Sequence, residues 1–167
     1  LGVPLELSLA FHSDAGFSKE DAWIGTLGVY TTNFNDGKLN SGVSRHASRD
    51  LTDMVLTGLQ NDISKRYGAI WPRRGMWNRN YSETRLPAVP SMILEILSHQ
   101  NFADMRMGHE HDFKFTVARS VYKSILRYNA MMHDADYVVQ PLPVTRFAIE
   151  EASKNTSAFS GVPSGFM

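Results

Sequence analysis

The chain has 167 residues, room for one domain, or one domain and part of another, at roughly 150 residues per domain. Hydrophobic residues make up 43% and charged residues 20%, enough apolar matter for a packed core and unlike a disordered chain. Lys plus Arg and Asp plus Glu each number 17, so no broad basic surface offers itself to nucleic acid or anionic lipid; with no cysteine, disulfides and thiolate sites are excluded and any metal falls to His, Asp, Glu and water.

The opening Leu1-Gly2-Val3-Pro4 is not a signal peptide, and no apolar run approaches the roughly 20 residues that cross a bilayer, so no membrane span is expected. Because no initiating Met is present and a strand pattern begins almost at once, the natural chain is expected to extend upstream. From Leu5 to Phe11 apolar residues alternate with small or polar ones, the period of a strand, and the stretch ends in a loop-like set, His12-Ser13-Asp14-Ala15-Gly16. Residues 23–32 are again β-rich, and 33–42 are dense in Asn, Asp, Gly and Ser, as in an exposed loop.

Leu51, Val55, Leu59, Ile63 and Tyr67 recur every four residues, which predicts a helix with one buried face, Ser48 placed to cap it and Gly68 to stop it. Residues 71–90 hold three prolines and four arginines with little periodicity. Met92-Ile93-Leu94-Glu95-Ile96-Leu97 then reads as a central strand buried on both faces. A second long helix follows, with Phe113, Val117, Val121, Ile125 and Tyr128 on one stripe. The alternation predicts an α/β fold, a mostly parallel sheet with flanking helices, over residues 1–133. From 134 to 167, Val138-Val139, Pro141, Pro143, Phe147 and Ile149 precede a polar tail, as in a linker entering the start of a β-sandwich-like module.

Two residues stand out chemically. His12 lies where a strand meets a loop, the place where α/β proteins present functional groups, although a single histidine there is more often structural. Glu95 sits inside an apolar run, where an ionised carboxylate costs several kcal/mol unless it is paired, metal-linked or protonated. A salt bridge to one of the upstream arginines is the alternative reading.

Together they carry a resemblance. Ser-Leu-Ala-Phe-His-Ser-Asp-Ala (8–15) resembles the Ser-Ile-His-Ala-Asn-Ala segment of zinc-dependent N-acetylmuramoyl-L-alanine amidases, which implies that His12 is a Zn2+ ligand. Pro90-Ser-Met-Ile-Leu-Glu95, with Ser98 and Asn101 beyond, is similar to that family's Pro-Ala-Val-Leu-Val-Glu-Thr-Gly-Phe-Leu-Ser-Asn block, which implies that Glu95 is the catalytic acid/base. The helix at 48–67, the Arg74-Gly75 pair and the helix through Tyr128 fall in matching order, so the resemblance spans roughly residues 5–130, the carboxyl-terminal part of an amidase-like, zinc-exopeptidase-like domain. Arg74, Arg85 and Asn101 follow as substrate-binding candidates. The stretches 97–105 and 140–144 are similar to a secreted bacterial branch often labelled xanthan lyase.

The resemblance implies hydrolysis of the amide between N-acetylmuramic acid and L-alanine in peptidoglycan or muropeptides, in the periplasm or outside the cell. The family's other ligands, a His and a Glu, precede the His12 segment, so they are expected upstream of Leu1 and this polypeptide alone is expected to be inactive. The sequence departs from the pattern where Ile96-Leu97 replaces Gly-Phe and where Glu83-Thr84-Arg85 replaces Val-Leu-Arg. The competing readings are a non-catalytic glycan-binding domain, using Arg73, Arg74, Arg79 and Arg85 with Trp71, Trp77 and Tyr81, and a processor of acidic polysaccharide. His109-Glu110-His111-Asp112 has metal-like composition but reads as a solvated helix start. His46 and His99 could rebuild a site with His12, and Asn80 and Asn155 head glycosylation acceptor patterns.

Overall fold

A computed structural model describes residues 5–18 and 21–140. The chain divides into two units, Leu1–Tyr137 and Val138–Met167; most of the expected β-sandwich start, from 141 onward, lies outside the described residues. In chain order the first unit contains β1 (Ser8–Asp14), β2 (Thr26–Tyr30), a 3-10 turn (Asn35–Gly37), α1 (His46–Tyr67), β3 (Arg73–Asn78), α2 (Ser82–Arg85), β4 (Ser91–Ser98), α3 (Phe102–His109) and α4 (His111–His133).

The strands form one sheet in the order β1-β4-β2-β3. β1 runs parallel to β4 and β2 parallel to β3, while β2 and β4 are antiparallel. Two parallel pairs therefore meet at one antiparallel junction, and the ends of β1 and β4 lie beside the starts of β2 and β3. β4 is interior, as its apolar run demands, with Met92 and Leu94 fully buried and Ile93 nearly so.

Register divides the residues between the two faces. Phe11, Leu94, Gly28 and Met76 are successive partners across all four strands, and Gly28 faces α1, since a Cβ there would lie 2.4 Å from Thr52 Cγ2 and 3.0 Å from Leu56 Cδ1. On this face α1 and α4 bury Leu51, Val55, Leu59, Phe113, Val117 and Val121 against the sheet. α1 stops as expected at Gly68, whose φ of 68° is left-handed and suits glycine. Gly28→Val is expected to cost about 2–3 kcal/mol by overpacking, and pairing it with Thr52→Ser, which removes the obstructing methyl, is expected to recover a good part of the loss. Urea denaturation of the two single variants and the pair measures this coupling.

Several expectations shift. β1 spans Ser8–Asp14 and not Leu5–Phe11, because its ladder starts where β4 does: Ser8 is paired with Ser91, and its N–H donates to the Pro90 carbonyl at 2.9 Å. His12 is thus inside the strand. Ser48 does not cap α1; it is buried one turn in, where its Oγ accepts the Ser91 N–H at 3.0 Å, and the Ser44 Oγ accepts the His46 N–H at 3.3 Å at the helix start. The 71–90 stretch, unpatterned in sequence, contains β3 and α2. The His109–Asp112 segment forms the junction of α3 and α4, with Asp112 in an ion pair to Arg66.

Candidate functional site

The second face of the sheet carries the chemistry. His12 and Glu95 are register partners on adjacent parallel strands, Glu95 is partnered in turn by Leu27, and Leu27 by Gly75. Partners on paired strands project to the same side, so imidazole and carboxylate stand next to each other in a row crossing the whole sheet. The 83 positions that separate them in sequence vanish because β1 and β4 are neighbours.

Further charged groups converge here. His12 Nε2 lies 2.9 Å from Glu83 Oε1, delivered by α2. Asp14, at the end of β1, is ion-paired with Arg74 at the start of β3, a contact that the antiparallel junction makes possible. The loop after Asp14 wraps the guanidinium so closely that a Cβ at Gly16 would come within 2.1 Å of Arg74 Nη1. Asp14 Oδ1 also accepts the Gly16 N–H at 3.2 Å.

Glu95 is the most unusual member. Its Oε2 is buried and has no hydrogen-bond partner. Burial pushes the carboxyl above the usual carboxylate range; His12 pulls it back, Asp14 raises it, Arg74 lowers it and Glu83 raises it again. A carboxyl group with this environment holds its proton more tightly than a solvated one, which suits a side chain that takes up a proton and later returns it.

Of the other expected site residues, Arg74 belongs to the cluster. Asn101 is 4% exposed and caps α3: its Oδ1 accepts the Asp104 N–H at 2.8 Å and its Nδ2 donates to the Ala22 carbonyl at 3.1 Å, so its amide serves the chain itself. Arg85 lies at the end of α2 with its guanidinium over Phe34 at 5.6 Å. Arg73 is tied to Asp53 and Thr57 of α1, and Arg79 stacks on Trp77 at 5.9 Å; the arginine-rich stretch is thus largely engaged in ion pairs and stacking. His99 meets Ser13 through Nδ1 at 3.2 Å, and His46 opens α1. Sequence reasoning missed Glu83, whose contact with His12 spans 71 positions and leaves no local pattern.

Among the described residues no three His, Asp or Glu side chains are arranged to hold one metal ion. What they offer a metal is a single imidazole, His12, beside an unpartnered buried carboxylate oxygen. A cavity of about 300 Å³ beside β1 is lined by Phe11, His12, Ile96, Leu97, Phe113 and Val117. Glu95 and Glu83 do not line it.

The chain superposes on N-acetylmuramoyl-L-alanine amidase AmiC2 of Nostoc punctiforme with a TM-score of 0.56 at 15% identity, covering 74% of this chain and 57% of that one. It superposes on the CwlD amidase from Clostridioides difficile, solved in complex with the GerS lipoprotein, with a TM-score of 0.59 at 14% identity, covering 78% and 57%. For the amidase Ami1 from Mycobacterium smegmatis the values are 0.60, 14%, 75% and 55%. No family model matches the sequence, and no curated protein does. The likeness is therefore one of fold, and the chain spans a little over half the length of these amidase structures. No described helix is long and apolar enough to cross a membrane.

Proposed function

We propose that this chain is the carboxyl-terminal part of a cell-wall amidase that hydrolyses the bond between N-acetylmuramic acid and L-alanine, acting on peptidoglycan or muropeptides in the periplasm or outside the cell. The observation that carries the reading is the pairing of His12 with Glu95 on neighbouring strands, on one face of a fold shared with such amidases. In this reading Glu95 accepts a proton from the attacking water at its free Oε2 and delivers it to the departing alanine nitrogen. Its elevated proton affinity suits both halves of that transfer. Arg74, fixed by Asp14, keeps a positive charge beside the carboxyl and meets the anionic parts of a muropeptide.

His12 is proposed as one ligand of a zinc ion whose remaining ligands come from residues other than those described. Bound there, zinc would supply a Lewis acid for the amide carbonyl and an acidified water. The test uses the natural full-length protein: zinc-loaded enzyme is expected to release stem peptides from purified muropeptides, and chelation to stop it. Absence of release from zinc-loaded full-length protein, with glycan binding retained, would replace the hydrolase reading with the binding-domain one.

A further inference from the structure

We propose that Trp77 and Arg79 form a binding subsite for a sugar ring that bears a carboxylate, set beside the His12–Glu95 pair; the choice of a cell-wall sugar rests on the amidase reading. Trp77 is the partner of Val29, as Gly75 is of Leu27, so its side chain rises from the same sheet face as Glu95 and His12. A Cβ built on Gly75 would lie 3.6 Å from Trp77 Nε1. The indole therefore leans back over the glycine, toward the row that carries Glu95. Two strand spacings, about 10 Å, separate Gly75 from Glu95. An indole at that remove meets the sugar next to the reacting amide and not the amide itself.

This platform is exposed, held in place and charged. Trp77 is 45% exposed, whereas Trp71 is fully buried. The end of β3 is pinned to β2: Asn78 Oδ1 accepts the Thr32 N–H at 3.0 Å, and the Arg79 N–H donates to the Tyr30 carbonyl at 2.8 Å. A pinned indole loses little freedom on binding. Its flat apolar face, with an N–H at the edge, suits a pyranose, which presents C–H groups on its faces and hydroxyls around its rim. Arg79 supplies the charge. Its guanidinium lies over the Trp77 ring at 5.9 Å, near the outer limit of such a contact, and donates to the Asn78 carbonyl at 3.3 Å. Arg73 and Arg74 of the same segment are neutralised by Asp53 and Asp14, but among the described residues no carboxylate pairs with Arg79. A planar cation with donors to spare, next to a sugar platform, selects an anionic ring over a neutral one.

Binding is read on the full-length, metal-free protein with peptide-free sugars, by titration calorimetry and by acrylamide quenching of the exposed tryptophan. The disaccharide of N-acetylglucosamine and N-acetylmuramic acid, with its lactyl carboxylate free, is compared with a glucuronic-acid disaccharide and with neutral chitobiose. The muramic disaccharide is expected to bind about tenfold more tightly than chitobiose and to shield Trp77 from acrylamide. A preference for the glucuronic-acid sugar instead keeps the subsite and points away from the cell wall. Arg79→Gln is expected to abolish the preference for a carboxylate. Trp77→Ala is expected to weaken every sugar about tenfold, and Trp77→Phe to restore part of that loss, with circular dichroism unchanged. Equal affinity for acidic and neutral sugars, or a preference that survives both Arg79→Gln and Trp77→Ala, overturns the subsite. Release of stem peptides by a full-length protein that fails this test leaves the amidase reading standing without it. A Trp77-dependent sugar complex in a protein that releases none retains the subsite and removes the amidase.

Discussion

Asp104→Ala is expected to lower stability by about 4 kcal/mol, enough to leave a marginal domain largely unfolded. Asp104 is completely buried. Its Oδ1 accepts the Ile24 N–H at 2.9 Å, and its Oδ2 accepts the Gly25 N–H at 3.1 Å and the Ser98 N–H at 2.9 Å. One carboxylate thus joins the approach to β2, the end of β4 and the first turn of α3. Alanine strands the buried Gly25 and Ser98 donors and the half-buried Ile24 donor, each costing about 1–3 kcal/mol when unpaired. Asp104→Asn, which keeps one acceptor oxygen and adds a competing donor, is expected to fall between. Urea midpoints compare the three proteins, and a loss below about 1 kcal/mol in the alanine variant would mean that water replaces the carboxylate at little cost.

Glu95→Gln is expected to move stability and activity in opposite directions. The folded state raises the Glu95 pKa, mainly by burial. Below the unfolded-state value the group is protonated in both states and costs nothing. As pH rises from the ordinary carboxylate range through the elevated folded value, the native protein must give up a proton it holds tightly, and stability falls. Above that window the full penalty remains. Glutamine, never charged, is expected to melt higher than wild type at neutral pH, with the two melting curves converging toward pH 4. If the full-length protein is the amidase proposed above, the same change is expected to lower its turnover by about 10²- to 10⁴-fold, the usual contribution of a positioned acid/base. If the variant melts lower at pH 7, or retains turnover, Glu95 is a structural residue satisfied elsewhere.

The elements that sequence reasoning reached are those whose burial is periodic. α1 shows its inner face at Leu51, Val55, Leu59 and Ile63 and its end at Gly68, and β4 shows itself as an apolar run broken only by Glu95. The pairing of His12 with Glu95 follows from two strand assignments and one neighbour relation. β3 escaped because its register against β2 slips between Thr26 and Leu27, so that Arg74 has no partner there and the inside–outside alternation of Arg73–Asn78 is lost. Such a bulge is invisible in composition. Ser48 misled for a different reason: a hydroxyl just before an apolar stripe fits a cap and a buried acceptor equally well, and only the arrival of Ser91 distinguishes them. Asp104 and Glu83 belong to the same class of miss, polar residues with partners 71 to 80 positions away, Ile24 and Gly25 for Asp104 and His12 for Glu83.

The neighbour relation between β1 and β4 has a price during synthesis. Ser8 pairs with Ser91, so β1 leaves the ribosome long before β4 exists. At roughly 5–20 residues per second it waits on the order of ten seconds with its ladder groups unmatched, a window in which holdase chaperones would find it and in which another nascent chain could pair with it first.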